Sequence, residues 1–135
     1  GNSLISWKSM RQSVVALSTM EAEFYAIASA VQNLMFLEQL SEELDFNISE
    51  VNIHEDNQSC IAFISNRAYK SRAKHIDIRY KFILDTIQKW NLNYCPTEKM
   101  IADVLTKPLP SKAFNTFRNS LTVRVEEECR KTQLN

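Results

Sequence analysis

Apolar residues recur at three- and four-residue intervals through TMEAEFYAIASAVQNLMFLEQL, and this spacing predicts a helix from about Thr19 to Leu44. Ser18 stands where an N-cap belongs, and Glu21, three residues on, completes a capping box of the S-x-x-E type. Polar DFNISE closes the helix. The period then changes. Val51, Ile53 and Glu55 alternate with Asn52, His54 and Asp56, which predicts a strand over 51–56. NQSCIAFIS reads as a short helix, and Ile76, Tyr80, Ile83, Ile87 and Trp90 form the core stripe of another over 76–90. LNYCP (92–96) is a short strand ended by Pro96, and EKMIADVLTK a brief helix stopped by Pro108. SKAFNTFRNSL gives a last amphipathic turn or two with Phe114 and Phe117. Ahead of all these, SLISWKS (3–9) alternates as a strand with Ile5 and Trp7 on one side. After Leu121 the periodicity is lost, and 122–135 is expected to be a flexible C-terminal tail. Strand, helix, strand, helix, helix, strand, helix is α/β alternation in one domain over 1–121.

Charge changes the picture only locally. Sixteen Lys and Arg balance sixteen Asp and Glu, so no global field points to a polyanionic partner. Six of those basic residues, however, fall within RAYKSRAKHIDIRYKF (67–82): Arg67, Lys70, Arg72, Lys74, Arg79 and Lys81, against the one acid Asp77. With Tyr69 among them and His75 as a further donor, the stretch suits phosphate-backbone contact, and equally a solvated helix start. The one glycine is residue 1, which favours helices and short polar loops over tight hairpins. Cys60, Cys95 and Cys129, spaced 35 and 34 apart, match neither a zinc pair nor a disulfide framework, and Cys60 and Cys95, among apolar neighbours, read as buried free thiols of a reducing compartment. No apolar run approaches membrane-spanning length. The start GNSLISW, without methionine, suggests a piece of a longer polypeptide.

Three acids stand out. At 100° per residue Glu23 aligns with Ala26, Ile27, Ala30 and Leu34, so it is expected to head the packed face of its helix while Glu21 points away as a cap. Asp56 ends a predicted strand and precedes a helix, where it is a candidate N-cap or ligand. Asp103 sits among Ile101, Ala102, Val104 and Leu105, where a poor helix former has little reason to be. Hard oxygen donors from separate elements are what magnesium selects, and a pair of such ions can activate water against a phosphodiester. Spacing alone equally allows three unrelated structural acids.

LISWKSMRQSVVALSTMEAEFYAIASAV, IHEDNQSCIAFISN, RAKHIDIRYKFI and YCPTEKMIADVLTKPLP, in this order, resemble the RNase H domain of copia-type LTR retrotransposon Pol polyproteins, over nearly all of Leu4 to Leu121. The resemblance implies an RNase H-like fold that degrades the RNA of RNA–DNA hybrids during reverse transcription by two-metal hydrolysis. Its carboxylates run Asp, Glu, Asp, Asp, and the matching positions are Glu23, Asp56 and Asp103, which would hold Mg2+ or Mn2+. Arg67, Lys70, Arg72, Lys74, His75 and Arg79 would lie along the hybrid. The resemblance places the family's first aspartate, and the first two strands of its mixed five-stranded sheet, upstream of this sequence. The fold is therefore expected to be incomplete, with helices packed on what remains of the sheet, magnesium held weakly if at all, and little nuclease activity from the chain alone. The implied partners are the hybrid, the upstream reverse transcriptase region of the same polyprotein and, through the open sheet edge, a strand-borrowing second copy. The implied location is a cytoplasmic retrotransposon particle, or the nucleus. Lys81 and Leu84 replace the usual His and Arg of the third motif. A different class of reading is a non-catalytic transposon remnant that binds nucleic acid or protein. The integrase relative of the fold is disfavoured, because there the glutamate comes last.

Overall fold

Ser18 adopts extended backbone angles (φ −151°, ψ 162°) and its hydroxyl accepts from the Glu21 amide at 3.1 Å, so the first helix, α1 (Thr19–Glu43), begins where its cap dictates. In this computed structural model residues 4–66 and 74–121 are described, 74–77 by their backbone course alone. α1 ends in a Schellman motif in which Asp45 takes the left-handed position that glycine usually fills (φ 53°). There the Phe46 amide reaches Ser41 O at 2.8 Å and the Asp45 amide reaches Glu42 O at 3.2 Å. Aspartate tolerates this conformation better than most side chains, which is how a chain with no internal glycine closes a 25-residue helix.

The described residues fall into two units, 12–97 and 4–11 with 98–121. The larger holds α1, β1 (Asn52–Glu55), α2 (Gln58–Ser65), α3 (Lys74–Ile87) and β2 (Asn91–Tyr94). β1 and β2 pair in parallel, Asn52 with Asn91 through Glu55 with Tyr94. Main-chain bonds from Asn91 N to Val51 O (3.0 Å) and from Cys95 N to Glu55 O (2.9 Å) carry the ladder past both ends. The α2–α3 segment supplies the long connection that parallel strands require. Asn57 caps α2 by accepting from the Cys60 amide at 3.0 Å. Asn57→Ala is expected to cost about 1 kcal/mol in urea denaturation, and an unchanged midpoint would show the cap to be idle.

The core of this unit is aromatic at its centre. Phe24 meets Phe63 edge-on at 5.1 Å, and Phe63 lies 5.0 Å from Tyr80. Ile27, Val31, Ile53, Cys60, Ile64, Ile83, Ile87 and Trp90 surround them. The Trp90 indole donates to Glu38 Oε1 at 2.6 Å, which pins the turn after α3 to α1. Mixed α/β structure is thus present, with two strands and four α-helices among the described residues.

Three expectations are corrected. Residues 4–10 form no strand, and Ile5 and Trp7 are exposed. Alternation supplies a face but no hydrogen-bonding partner, and a strand needs both. The buried face of α1 is Phe24, Tyr25, Ile27, Ala28 and Val31, not the row through Ala26 and Ala30, both of which are exposed. Bulky side chains decide how a helix docks, because each buries several times the area of an alanine methyl. The segment before Pro108 forms two 3-10 turns, Thr97–Lys99 and Ile101–Leu105, rather than one helix. Hemmed in by Pro96 and Pro108, it has no room for an α-helix of stable length.

In the smaller unit, Ser9 Oγ donates to Leu105 O at 2.9 Å, and α4 (Ser111–Leu121) packs on the Ile101–Leu105 turn with Phe117 buried. No helix among the described residues is long and apolar enough to cross a membrane. The expected tail, 122–135, lies outside the described residues.

Candidate functional site

The carboxyl ends of parallel strands are where α/β folds place ligands, and here those ends carry Asp56 and Thr97. Just past the last ladder bond, Thr97 Oγ1 donates to Asp56 Oδ2 at 2.8 Å. Asp56 is half-buried. Asn57, and not Asp56, is the N-cap of α2, so the capping role open to Asp56 in the sequence is taken by its neighbour.

Beside Asp56, Glu55 is only 4% exposed. Burial pushes its carboxyl up to about 7. The Asn57 amide, donating to Glu55 Oε1 at 2.8 Å, works against that rise, while the negative charges of Glu23 and then Asp56 add to it. Glu23, half-buried on α1, and Asp56 on β1 are thereby both within electrostatic reach of one buried acid. Glu55 was not singled out by its sequence context. The signal was present, since an acid in register with Val51 and Ile53 lies on the inward face of its strand. Cys60, fully buried behind these acids, has its thiol pushed up to about 12 by burial and then by Glu55 and Glu23. A thiol so raised is not a nucleophile at neutral pH.

Glu21, expected to point away from the core, is buried. Its carboxylate accepts from the Leu17 amide and from the Tyr25 hydroxyl, each at 2.8 Å. The reciprocal arm of the capping box thus reaches one residue beyond Ser18. Burial raises the Tyr25 hydroxyl, the bond to Glu21 and its charge raise it further, and Arg79 opposes them. The Arg79 guanidinium lies 4.6 Å from the centre of the Tyr25 ring. Of the expected nucleic-acid contacts, Arg79 is therefore placed against α1. Arg67, Lys70 and Arg72 lie outside the described residues, as do the side chains of Lys74 and His75.

Asp103 belongs to the smaller unit. It is buried in the Ile101–Leu105 turn and forms an ion pair with Lys107 at 2.8 Å. Among the described residues no group of three or more His, Cys, Asp or Glu could hold a metal ion. The donor chemistry still suits one ion. Magnesium commonly keeps several waters and takes only one or two protein carboxylates together with substrate phosphates. Asp56, half-buried at the strand end, is a carboxylate of that kind.

The chain is 37% identical over 112 residues to a retrovirus-related Pol polyprotein from the Nicotiana tabacum transposon TNT 1-94, which covers 82% of this chain. Its relatives are retrotransposon Pol polyproteins. A Pol polyprotein from the Arabidopsis thaliana transposon RE2 is 33% identical over 96% of the chain, and the Saccharomyces cerevisiae Ty1-JR2 Gag-Pol polyprotein 36% identical over 86%. The chain spans only 8%, 9% and 7% of the length of these three polyproteins, so it corresponds to a small transposon-derived region of them. No family model and no solved structure matches it.

Proposed function

We propose that this chain is part of the ribonuclease H domain of a copia-type retrotransposon Pol polyprotein, a domain that hydrolyses the RNA strand of RNA–DNA hybrids made by the reverse transcriptase region ahead of it, with little activity from this chain alone. The observation that carries this reading is the half-buried Asp56 beside the buried Glu55 at the carboxyl end of a parallel strand pair, with Glu23 also within electrostatic reach of Glu55. Similarity to Pol polyproteins over most of the chain supports it. Within the larger unit Glu23 and Asp56 are the acids assigned to the site, and the basic stretch 67–81 is assigned to the hybrid's phosphates. Magnesium, when bound, would polarise the phosphodiester and lower the pKa of the attacking water. Asp56 would be one carboxylate sharing such an ion with a substrate phosphate, with Glu23 the second assigned to the site.

A segment swap tests the reading. The matched segment of the TNT 1-94 polyprotein is replaced by this chain, and cleavage of labelled RNA in an RNA–DNA hybrid is followed with magnesium present. The expected result is RNA cleavage that disappears in Glu23→Gln and in Asp56→Asn. Cleavage indifferent to both substitutions, or absent from the swap while the parent polyprotein cuts, overturns it. The Asp103–Lys107 ion pair, which already engages one of the three acids, favours a second reading, a non-catalytic module that binds nucleic acid or protein. That reading expects the swap to retain the hybrid without cutting it.

A further inference from the structure

The hydrogen bond from Thr97 Oγ1 to Asp56 Oδ2 is held from both ends by the backbone. Asp56 follows Glu55, the last residue of β1, and precedes the Asn57 cap of α2. Thr97 follows Cys95, whose amide closes the ladder on Glu55 O at 2.9 Å, and Pro96, whose ring fixes its own φ. Threonine is stiff at χ1, so its hydroxyl is presented in a restricted direction. A carboxylate at a strand end otherwise samples several χ1 wells. A hydroxyl has one proton to give and therefore engages one carboxylate oxygen. The bond lies at the surface, where such a contact adds little to stability, so its consequence is geometric more than energetic.

From this geometry we infer that Thr97 is a positioning residue, holding the Asp56 carboxylate in one rotamer so that it meets a divalent cation in a fixed orientation. This rests on the reading of Asp56 as a metal-site acid. Groups that orient metal ligands commonly change affinity 10- to 100-fold when removed. Valine, isosteric with threonine but without the hydroxyl, removes the donor, and serine keeps it.

The test uses the whole 135-residue chain. Side-chain scalar couplings of Asp56 report its χ1 distribution, and a Mn2+ titration followed by paramagnetic resonance reports affinity. In the parent chain the couplings should be those of one rotamer. In Thr97→Val they should average, and Mn2+ affinity should fall about 10-fold. Thr97→Ser should restore both. Unchanged Asp56 couplings in Thr97→Val overturn the inference, as does averaging that leaves Mn2+ affinity unmoved while Asp56→Asn abolishes it. Couplings that average as expected, in a chain whose Asp56→Asn variant binds Mn2+ no differently from the parent, bring down the metal-site reading of Asp56 and the proposed role of Thr97 with it.

Discussion

Phe24→Ala is expected to lower the stability of the chain by about 3–5 kcal/mol, the range for removing a fully buried phenyl ring. Phe24 is 1% exposed and is the residue on which Phe63 (5.1 Å), Tyr25 (6.1 Å) and Tyr80 (6.5 Å) converge. Its ring therefore joins α1, α2 and α3, and deleting it opens a cavity shared by all three. Part of the loss is transfer of the ring to water and part is the void, which rigid neighbouring rings cannot fill. Phe36, on the same helix, is 64% exposed, and Phe36→Ala should fall within about 0.5 kcal/mol of the parent. Urea denaturation of the two variants checks both the magnitude and the docking of α1. Equal losses would mean that the helix buries a different face. The outcome bears on the site as well, because Glu23 is the residue before Phe24 and its approach to Glu55 depends on how that ring is seated.

The ends of the elements were legible where a side chain makes a local bond. Ser18 starts α1, and the period-two alternation of Val51, Ile53 and Glu55 located β1 to within a residue. Both signals are short-range, so a linear reading finds them. The docking face of α1 was not legible in the same way, because Ala26, Ile27, Ala30 and Leu34 fit a helical stripe as well as Phe24, Ala28 and Val31 do. Periodicity gives the angle between residues and is silent on which stripe wins; ring area decides that. Residues 4–10 failed for a related reason, since strand alternation leaves the partner unspecified. In the candidate site, Asp56 was visible as an acid at a strand end, whereas the Thr97 contact joins positions 41 apart. Glu55 was passed over because an acid beside another acid in HED resembles an ordinary polar strand end. Only its burial separates the two.

That burial has a consequence in pH. In the folded chain Glu55 holds its proton up to about pH 7, against an ordinary value of 4.5, so between those values the native state binds a proton that the unfolded state has released. Stability then falls as pH rises through this window, and it is fully present only below the unfolded value. A rise from 4.5 to about 7 corresponds to about 3 kcal/mol lost by about pH 8. Glu55→Gln keeps an acceptor for the Asn57 amide but has no charge to bury. In chelator, the variant should match the parent near pH 4 and exceed it by about 1–3 kcal/mol at pH 8, measured as the difference in urea midpoints at each pH. Taking the difference removes the titration of other groups, which both chains share. A constant gap across the range would sink the assignment, as would a gap of opposite sign at pH 8. Magnesium supplies a further discrimination. A cation held at Asp56 would offset the negative field at Glu55, favour its ionised form and narrow the gap at pH 8, whereas a chain that binds no cation there would keep the gap unchanged.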